Sequence, residues 1–373
     1  MPTHLRLIPP GLHGLCIEPL RFQSQNKSGL NKMDDLSRDA YAVLLPAFDK
    51  VEFTEASTSF FTAGGVASLL GSTREEYVAR RMSAARQQSE TPQLLLDYHD
   101  RARALAGDVL VAIDYELGGV HRLHNLGPQL PHPREVLEMK EAEVEHFGVE
   151  AARAAKSCGI NFFLAPVVDL VTGSNPWLRD RTFSVDADVV SHAASAFIRG
   201  VQSQGVAATA KHFPGHPHVP ADPHDSATVT VTASLEDLKP NLKCFDAAIA
   251  AGVRAIMTGP IPVDAIDPNE PSSTSAKVVA MLRGAHRFRG LIVSDDLDLP
   301  GTLRGRTVPE AAVASLKAGV DLLLLAGGPQ VDEVARSIIA SVHAGKLERD
   351  VVARAANAVR LLAADSALSL QAV

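Results

Sequence analysis

Four histidines lie within thirteen residues of this chain, and their spacing makes the segment the first place to look for chemistry. They are His212, His216, His218 and His224 in AKHFPGHPHVPADPHDS, whereas the whole chain of 373 residues has only 14 histidines. Because imidazole titrates close to neutral pH, such a cluster suits proton transfer or metal binding.

The segment alone leaves a metal site and an ordinary surface loop both open. His216 and His218, joined by Asp222 or His224, have side chains that zinc accepts as ligands. The barrel metallohydrolases that use an H-x-H pair carry it on an early strand, with further histidines on later strands. Here the pair follows a late strand, and the later strand ends offer no histidine. We therefore predict no metal and no other cofactor.

The elements that carry this loop alternate in a regular order. Short runs rich in Val, Ile and Leu, typical of strands buried on both faces, are separated by longer amphipathic stretches. The sequence predicts helices over 185–204 and 235–251. It predicts strands over 14–19, 65–70, 109–114, 162–170, 206–210, 255–259, 291–295 and 322–326.

Eight βα units in series predict a single-domain (β/α)8 TIM-type barrel, in the α/β class, over residues 1–373. An open doubly wound sheet is the alternative, but no glycine-rich phosphate loop follows the first predicted strand. The polar segment 21–61 is interpreted as an insertion after that strand, with a helix near 36–48. Residues 365–373 are interpreted as a C-terminal tail.

Catalytic residues of such barrels lie where the strands end, in the βα loops. This rule selects Asp114 after the third strand, Asp169 and Arg181 after the fourth, and Lys211 at the fifth. The seventh strand ends in two adjacent carboxylates, Asp295 and Asp296. In an extended segment neighbouring side chains point to opposite faces, so only one of the two is expected to face the barrel axis.

These motifs, taken together, resemble glycoside hydrolase family 3, in particular its single-domain bacterial β-N-acetylglucosaminidases. KHFPGHPHVPADPH is similar to the family's K-H-F-P-G-H-G-x(4)-D-S-H loop, without a gap. Three further family motifs have similar segments here, in the same order: IDYELGGVHRL, then LAPVVDL followed by RDRTF, then IVSDDLDLPG. The resemblance covers roughly residues 105–330.

The resemblance implies a retaining mechanism with a covalent glycosyl-enzyme intermediate. Asp295 would be the nucleophile, His224 the acid and base, and Asp222 the residue that orients His224. The same resemblance implies hydroxyl-binding roles for five further residues, namely Asp114, Arg122, Arg181, Lys211 and His212.

Several positions depart from the family pattern, and they make the substrate less certain than the reaction. The two prolines of the fifth loop are expected to stiffen a segment that carries His224. The departures are Tyr115, Leu117, Gly119, Arg179, Pro217, Pro223 and Leu299.

We therefore expect an exo-acting β-N-acetylhexosaminidase for small, for example cell-wall-derived, glycosides. Three alternatives stay open. They are a β-glycosidase for a different or modified sugar, a glycoside phosphorylase that uses the same dyad, and a non-catalytic sugar-binding barrel.

Composition excludes other classes of partner. A net charge of −7 disfavours nucleic-acid binding, and one Trp with four Tyr disfavours a long stacking cleft. Trp177 and Tyr115 are predicted beside a short site. The absence of a long apolar run and of paired cysteines leads us to expect no membrane partner and a cytoplasmic protein. Monomer and homodimer remain open.

Overall fold

The structure is a computed structural model that describes residues 34–129 and 131–370. The strand predicted over 14–19, the first part of the predicted insertion and the last three residues lie outside this part of the chain. Its strands are β1 Leu44–Phe48, β2 Ala67–Leu70, β3 Leu110–Ile113, β4 Phe162–Phe163, β5 Ala207–Phe213, β6 Ala255–Thr258, β7 Leu291–Val293 and β8 Leu323–Ala326.

Helices follow the strands around the outside. They are α1 Asp35–Ala42, α2 Glu55–Thr62, α3 Arg74–Ala79, α4 Ala84–Ser89, α5 Pro92–Ala106, α6 Pro133–Val136, α7 Glu141–Ser157, α8 Ala187–Ser203, α9 Leu235–Ala250, α10 Ala276–Gly284, α11 Pro300–Leu303, α12 Val308–Ala318, α13 Gln330–His343 and α14 Arg349–Leu370. No helix in the described part of the chain combines the length and hydrophobicity needed to cross a membrane.

The strands form one parallel sheet that closes on itself. Their order is β7-β6-β5-β4-β3-β2-β1-β8, and the Ser294 N–H donates to the Leu322 carbonyl at 2.9 Å between β7 and β8. Every residue of β2 to β7 is buried, as expected for strands packed between a barrel interior and a layer of helices. The (β/α)8 prediction is confirmed.

The predicted position of the first strand is wrong. Leu44–Phe48, inside the segment interpreted as an insertion, is β1 and pairs with both β2 and β8. Pro46 lies in its centre, and proline is usually confined to edge strands because it has no N–H to donate. The helix predicted near 36–48 ends at Ala42, and the strand begins two residues later.

The other elements agree well with the sequence. The helices predicted over 185–204 and 235–251 are α8 and α9, each begun by an N-cap, Asp186 and Ser234, whose side chain accepts backbone N–H groups of the first turn. The predicted tail at 365–373 is helical as far as Leu370. Because all strands run in parallel, their carboxyl ends meet at one end of the barrel.

Candidate active site

A cavity of about 250 Å³ opens at the carboxyl ends of the strands. It brings together polar side chains from the loops after β2, β3, β4 and β7 and from β5 and its loop. These are Arg74, Tyr77, Asp114, Arg181, Lys211, His212, His224, Asp295 and Asp296. Six of the eight residues predicted for the site therefore line one cavity, and a seventh, Asp222, contacts His224 behind it.

Asp295 holds one carboxylate oxygen in place and leaves the other without a partner. Its Oδ1 accepts the Asp296 N–H at 2.8 Å, and its own N–H donates to Ser273 Oγ at 2.9 Å. Oδ2 is buried and accepts no hydrogen bond from the described residues. A buried carboxylate oxygen in this state is available to an electrophilic carbon.

His224 and Asp222 form a hydrogen-bonded pair. His224 Nδ1 lies 2.7 Å from Asp222 Oδ1, which also accepts the His224 N–H at 3.0 Å. Burial favours the neutral acid, but the hydrogen bonds from His224 and the charge of Arg74 lower the pKa of Asp222 to about 2. Since the carboxylate engages Nδ1, the Nε2 atom is left for proton exchange with a ligand.

Tyr77 and Arg74, both from α3, complete this side of the cavity. The Tyr77 ring lies 5.5 Å from the His224 ring, measured between centroids. Arg74 NH2 lies 3.5 Å from Asp222 Oδ2. The strand-end rule would have pointed to this loop after β2, but its sequence carries no motif, and both residues were missed.

A buried ion-pair cluster holds Lys211 and Arg181. Lys211 Nζ lies 2.7 Å from both Asp114 Oδ1 and Glu116 Oε1, and Arg181 donates twice to Glu116, at 2.7 and 3.0 Å. Burial disfavours all these charges, but the charge of Arg181 keeps the pKa of Glu116 well below its usual value. The carboxylates raise the pKa of Lys211 despite burial. Glu116, which lies inside a quoted motif, was not predicted.

His212 is oriented by Asp169. The Asp169 carboxylate accepts from His212 Nδ1 at 2.9 Å and from His216 Nδ1 at 3.0 Å. Burial lowers the pKa of His212, which favours a neutral ring. Its Nε2 atom lies 3.9 Å from Asp295 Oδ2. Trp177 covers the His212 ring, with centroids 4.5 Å apart.

Arg122 does not belong to the cavity, contrary to the sequence prediction. Its two terminal nitrogens donate to Glu90 at 2.7 and 2.8 Å, and its Nε donates to the Gly71 carbonyl at 2.7 Å. The whole guanidinium is therefore occupied within the protein, and it supports the loops after β2 and β3.

The predicted position of Tyr115 beside the pocket is likewise wrong. Its hydroxyl donates to the Pro128 carbonyl at 2.5 Å and its ring is buried against Phe163. Trp177 does lie close by, but behind His212. Tyr77 lines the cavity instead.

The H-x-H pair does not converge on a common point. His216 is buried against Asp169 and Trp177, whereas His218 is exposed. Over residues 34–129 and 131–370, no three His, Cys, Asp or Glu side chains are grouped as metal ligands.

The fifth loop is anchored at its two unusual prolines. The Pro217 carbonyl accepts the N–H groups of Thr172 and Gly173 at 3.0 Å each, and the Pro223 carbonyl accepts that of Gly301 at 2.9 Å. These contacts hold the loop with His224 at the cavity.

Taken together, a buried carboxylate, a histidine–aspartate pair and further polar side chains meet at the carboxyl end of a (β/α)8 barrel, the arrangement expected of a glycosidase. Residues 43–362 match the model of the glycosyl hydrolase family 3 N-terminal domain. The chain belongs to glycosyl hydrolase family 3, as its motifs predicted.

Individual relatives agree with this assignment. The β-hexosaminidase of Nitrosospira multiformis is 31% identical over 242 residues, which are 63% of this chain and 68% of that protein. That of Methylococcus capsulatus is 32% identical over 244 residues, 64% of this chain and 73% of the relative. A solved family 3 β-N-acetylglucosaminidase from Paenibacillus sp. str. FPU-7 superposes with a TM-score of 0.80 at 25% identity. That match covers 89% of this chain and 62% of the longer solved chain.

Proposed function

We propose that this chain is a retaining, exo-acting β-N-acetylhexosaminidase that removes terminal N-acetylglucosamine from small glycosides. One observation carries the proposal: Asp295, with its unpartnered Oδ2, and His224, which is hydrogen-bonded to Asp222, line a single small cavity. The β-hexosaminidase relatives support the choice of sugar.

In the first step, the Asp295 carboxylate attacks the anomeric carbon while His224 Nε2–H protonates the departing glycosidic oxygen. The C–O bond to the leaving group breaks and an ester between the sugar and Asp295 forms. In the second step, neutral His224 takes a proton from water, whose oxygen displaces Asp295 from the anomeric carbon. Two inversions give overall retention, and Asp222 stabilises the imidazolium that is present before the first step and is formed again in the second.

Four side chains are assigned to the sugar hydroxyls. Asp114 and Lys211 form a charged pair whose remaining donors and acceptors suit vicinal hydroxyls. Arg181 and neutral His212 complete the set, and His212 Nε2 is available as an acceptor since Asp169 engages Nδ1. Arg122 is excluded from the set by its contacts with Glu90.

The size of the cavity supports exo action. At about 250 Å³ it falls below the usual range for drug-sized ligands, about 300–1,000 Å³, and suits a single ring. Among the described residues, Tyr77 is the one Phe, Tyr or Trp side chain that lines it, which matches the low aromatic content and argues against a long polysaccharide cleft.

The decisive experiment is covalent trapping. A fluorinated glycosyl donor should label Asp295, and peptide mass spectrometry identifies the labelled residue. The Asp295→Asn variant should not be labelled, and it should no longer release nitrophenol from the aryl N-acetylglucosaminide. Asp296→Asn should keep the label, because the Asp296 carboxylate accepts the Asp298 N–H at 2.9 Å and caps the next turn. Full activity in Asp295→Asn would contradict the proposal.

Phosphorolysis is the second candidate. A phosphate acceptor would not be repelled, because the acid–base group is a histidine rather than a second carboxylate. Cationic Arg74 also lies beside the His224–Asp222 pair. A phosphate-dependent rate with a sugar 1-phosphate product would select this reaction over hydrolysis.

We also propose a cytoplasmic setting, supported by Cys158 and Cys244, which are both free thiols and buried.

A further inference from the structure

A second, larger pocket lies beside the catalytic cavity, at the same end of the barrel. It measures about 570 Å³ and is formed by the loops after β2 and β3. Its wall includes Arg80, Arg81, Gly118, Gly119 and Glu116. Glu116 is shared by the two sites: it lines this pocket, and its carboxylate binds Arg181 and Lys211, which line the catalytic cavity.

Arg80 is the unusual residue of this second pocket. It follows α3 in a left-handed conformation, with φ of 53°, and its side chain is partly buried. No described carboxylate lies within ion-pair distance of its guanidinium, and burial followed by the charge of Arg181 lowers its pKa. A partly buried guanidinium that lacks an ion-pair partner retains unpaired donors that face the pocket and can bind an acceptor on a ligand.

The surrounding charges do not balance Arg80 either. Asp114 and Glu116 are already paired with Lys211 and Arg181, and Arg181 NH1 is buried without an acceptor in the described chain. Exposed Asp180 attracts Arg80 only from a distance. Without distant Asp180, three cations, Arg80, Arg181 and Lys211, therefore face two carboxylates, Asp114 and Glu116.

The remaining titratable groups described here leave the net charge around the pocket positive. Arg81 is exposed and adds a second cation that no described carboxylate pairs with. Burial lowers the pKa of His121 to about 4, so that ring is neutral near pH 7. His124 is hydrogen-bonded to Glu90, away from Arg80.

We propose that this pocket, through the Arg80 and Arg81 guanidinium groups, binds an anionic group of the substrate, a carboxylate or a phosphate. The inference rests on the proposed glycosidase function for its biological meaning. Planar guanidinium groups bind such oxyanions through two parallel hydrogen bonds. The anion has two sources, a substituent on the sugar in the cavity or one on the leaving group.

Direct binding tests the pocket independently of catalysis. Inorganic phosphate, titrated calorimetrically into the full chain, should bind about tenfold more weakly to Arg80→Gln than to the parent, the loss expected for one charge-assisted contact. Arg81→Gln should show a smaller loss. Arg103→Gln, which removes an exposed arginine at the end of α5, is the matched control and should bind as the parent does.

Kinetics then identify the source of the anion. Two charged aryl N-acetylglucosaminides are compared with the neutral parent substrate. One carries a phosphate on the sugar, and the other carries a carboxylate on the aryl group. In each arm the measured quantity is kcat/KM for the charged substrate divided by kcat/KM for the neutral one. In the arm that matches the natural source, the ratio should exceed one and fall about tenfold in Arg80→Gln.

Unchanged phosphate affinity in both Arg80→Gln and Arg81→Gln, or equal kcat/KM for charged and neutral substrates in both arms, would overturn the proposal. Failure of every glycoside to turn over would instead contradict the glycosidase function and leave the phosphate titration as the deciding measurement for the pocket.

Discussion

At the scale of single residues, the site depends on carboxylates that orient imidazoles. Asp169 binds the Nδ1 atom of His212 and Asp222 binds that of His224, so each ring has one nitrogen directed by the protein and one left for a ligand. A carboxylate in this position selects the tautomer and stabilises the protonated ring.

Asp222→Asn tests this arrangement. The amide keeps the shape but offers no charge to the imidazolium, and its NH2 group favours the wrong tautomer. We expect kcat to fall by about 10²–10⁴ with a small change in KM. Steady-state kinetics on an aryl glycoside measure this, with exposed Asp225→Asn as the control. A variant with parental kcat would show that the pair does not act in catalysis.

At the scale of elements, the end of one strand supports a side chain of its neighbour. Gly259 follows β6, and a Cβ atom there would lie 2.2 Å from Cε1 of the buried His216 ring. His216 in turn binds Asp169, which orients His212. Close packing where β5 and β6 end is therefore connected, through His216 and Asp169, to His212, which is proposed to bind the sugar.

Gly259→Ala should displace His216. We expect unfolding free energy to fall by about 1–3 kcal/mol, the usual cost of overpacking, and kcat/KM to fall about tenfold. Urea unfolding and kinetics measure the two effects. Gly284→Ala, at a helical position where a Cβ meets nothing within 4 Å, is the control and should be neutral or slightly stabilising. Unchanged activity in Gly259→Ala would separate His216 from the site.

At the scale of the whole molecule, Glu90 joins the loops after β2 and β3. It follows α4 and accepts hydrogen bonds from Arg86, Arg122 and His124. Burial opposes its ionisation, but the hydrogen bonds from His124 and Arg122 lower its pKa from 4.5 to about 2. A carboxylate with a depressed pKa stabilises the folded state above its unfolded pKa, and this contribution is lost as the pH falls through the folded value.

Glu90→Gln should therefore lower unfolding free energy by about 2–3 kcal/mol at pH 7. The difference from the parent should shrink below about pH 4.5 and disappear near pH 2. Urea unfolding across this pH range measures it. Glu310→Gln removes an exposed carboxylate and should have a much smaller effect. A difference that stays constant with pH would show that packing, not charge, is responsible.

The sequence by itself determined the barrel and most of the chemical groups. Near-continuous apolar runs identified seven of the eight strands, since buried parallel strands need apolar side chains on both faces. The strand-end rule and the family motifs then led to Asp114, Lys211, His224 and Asp295. The prediction was wrong at β1, a short strand inside a polar segment with Pro46 at its centre, because its pairing with β2 and β8 is imposed by closure of the barrel.

Only the tertiary structure decided which partner each polar side chain meets. Arg122 lies in a motif, yet Glu90, 32 residues earlier in the chain, occupies its guanidinium. Tyr77 and Arg74 belong to a short helix without a motif, yet they reach His224 and Asp222 across the barrel mouth. Such pairings are set by how the loops fold over one another, which periodicity and spacing along the chain do not contain.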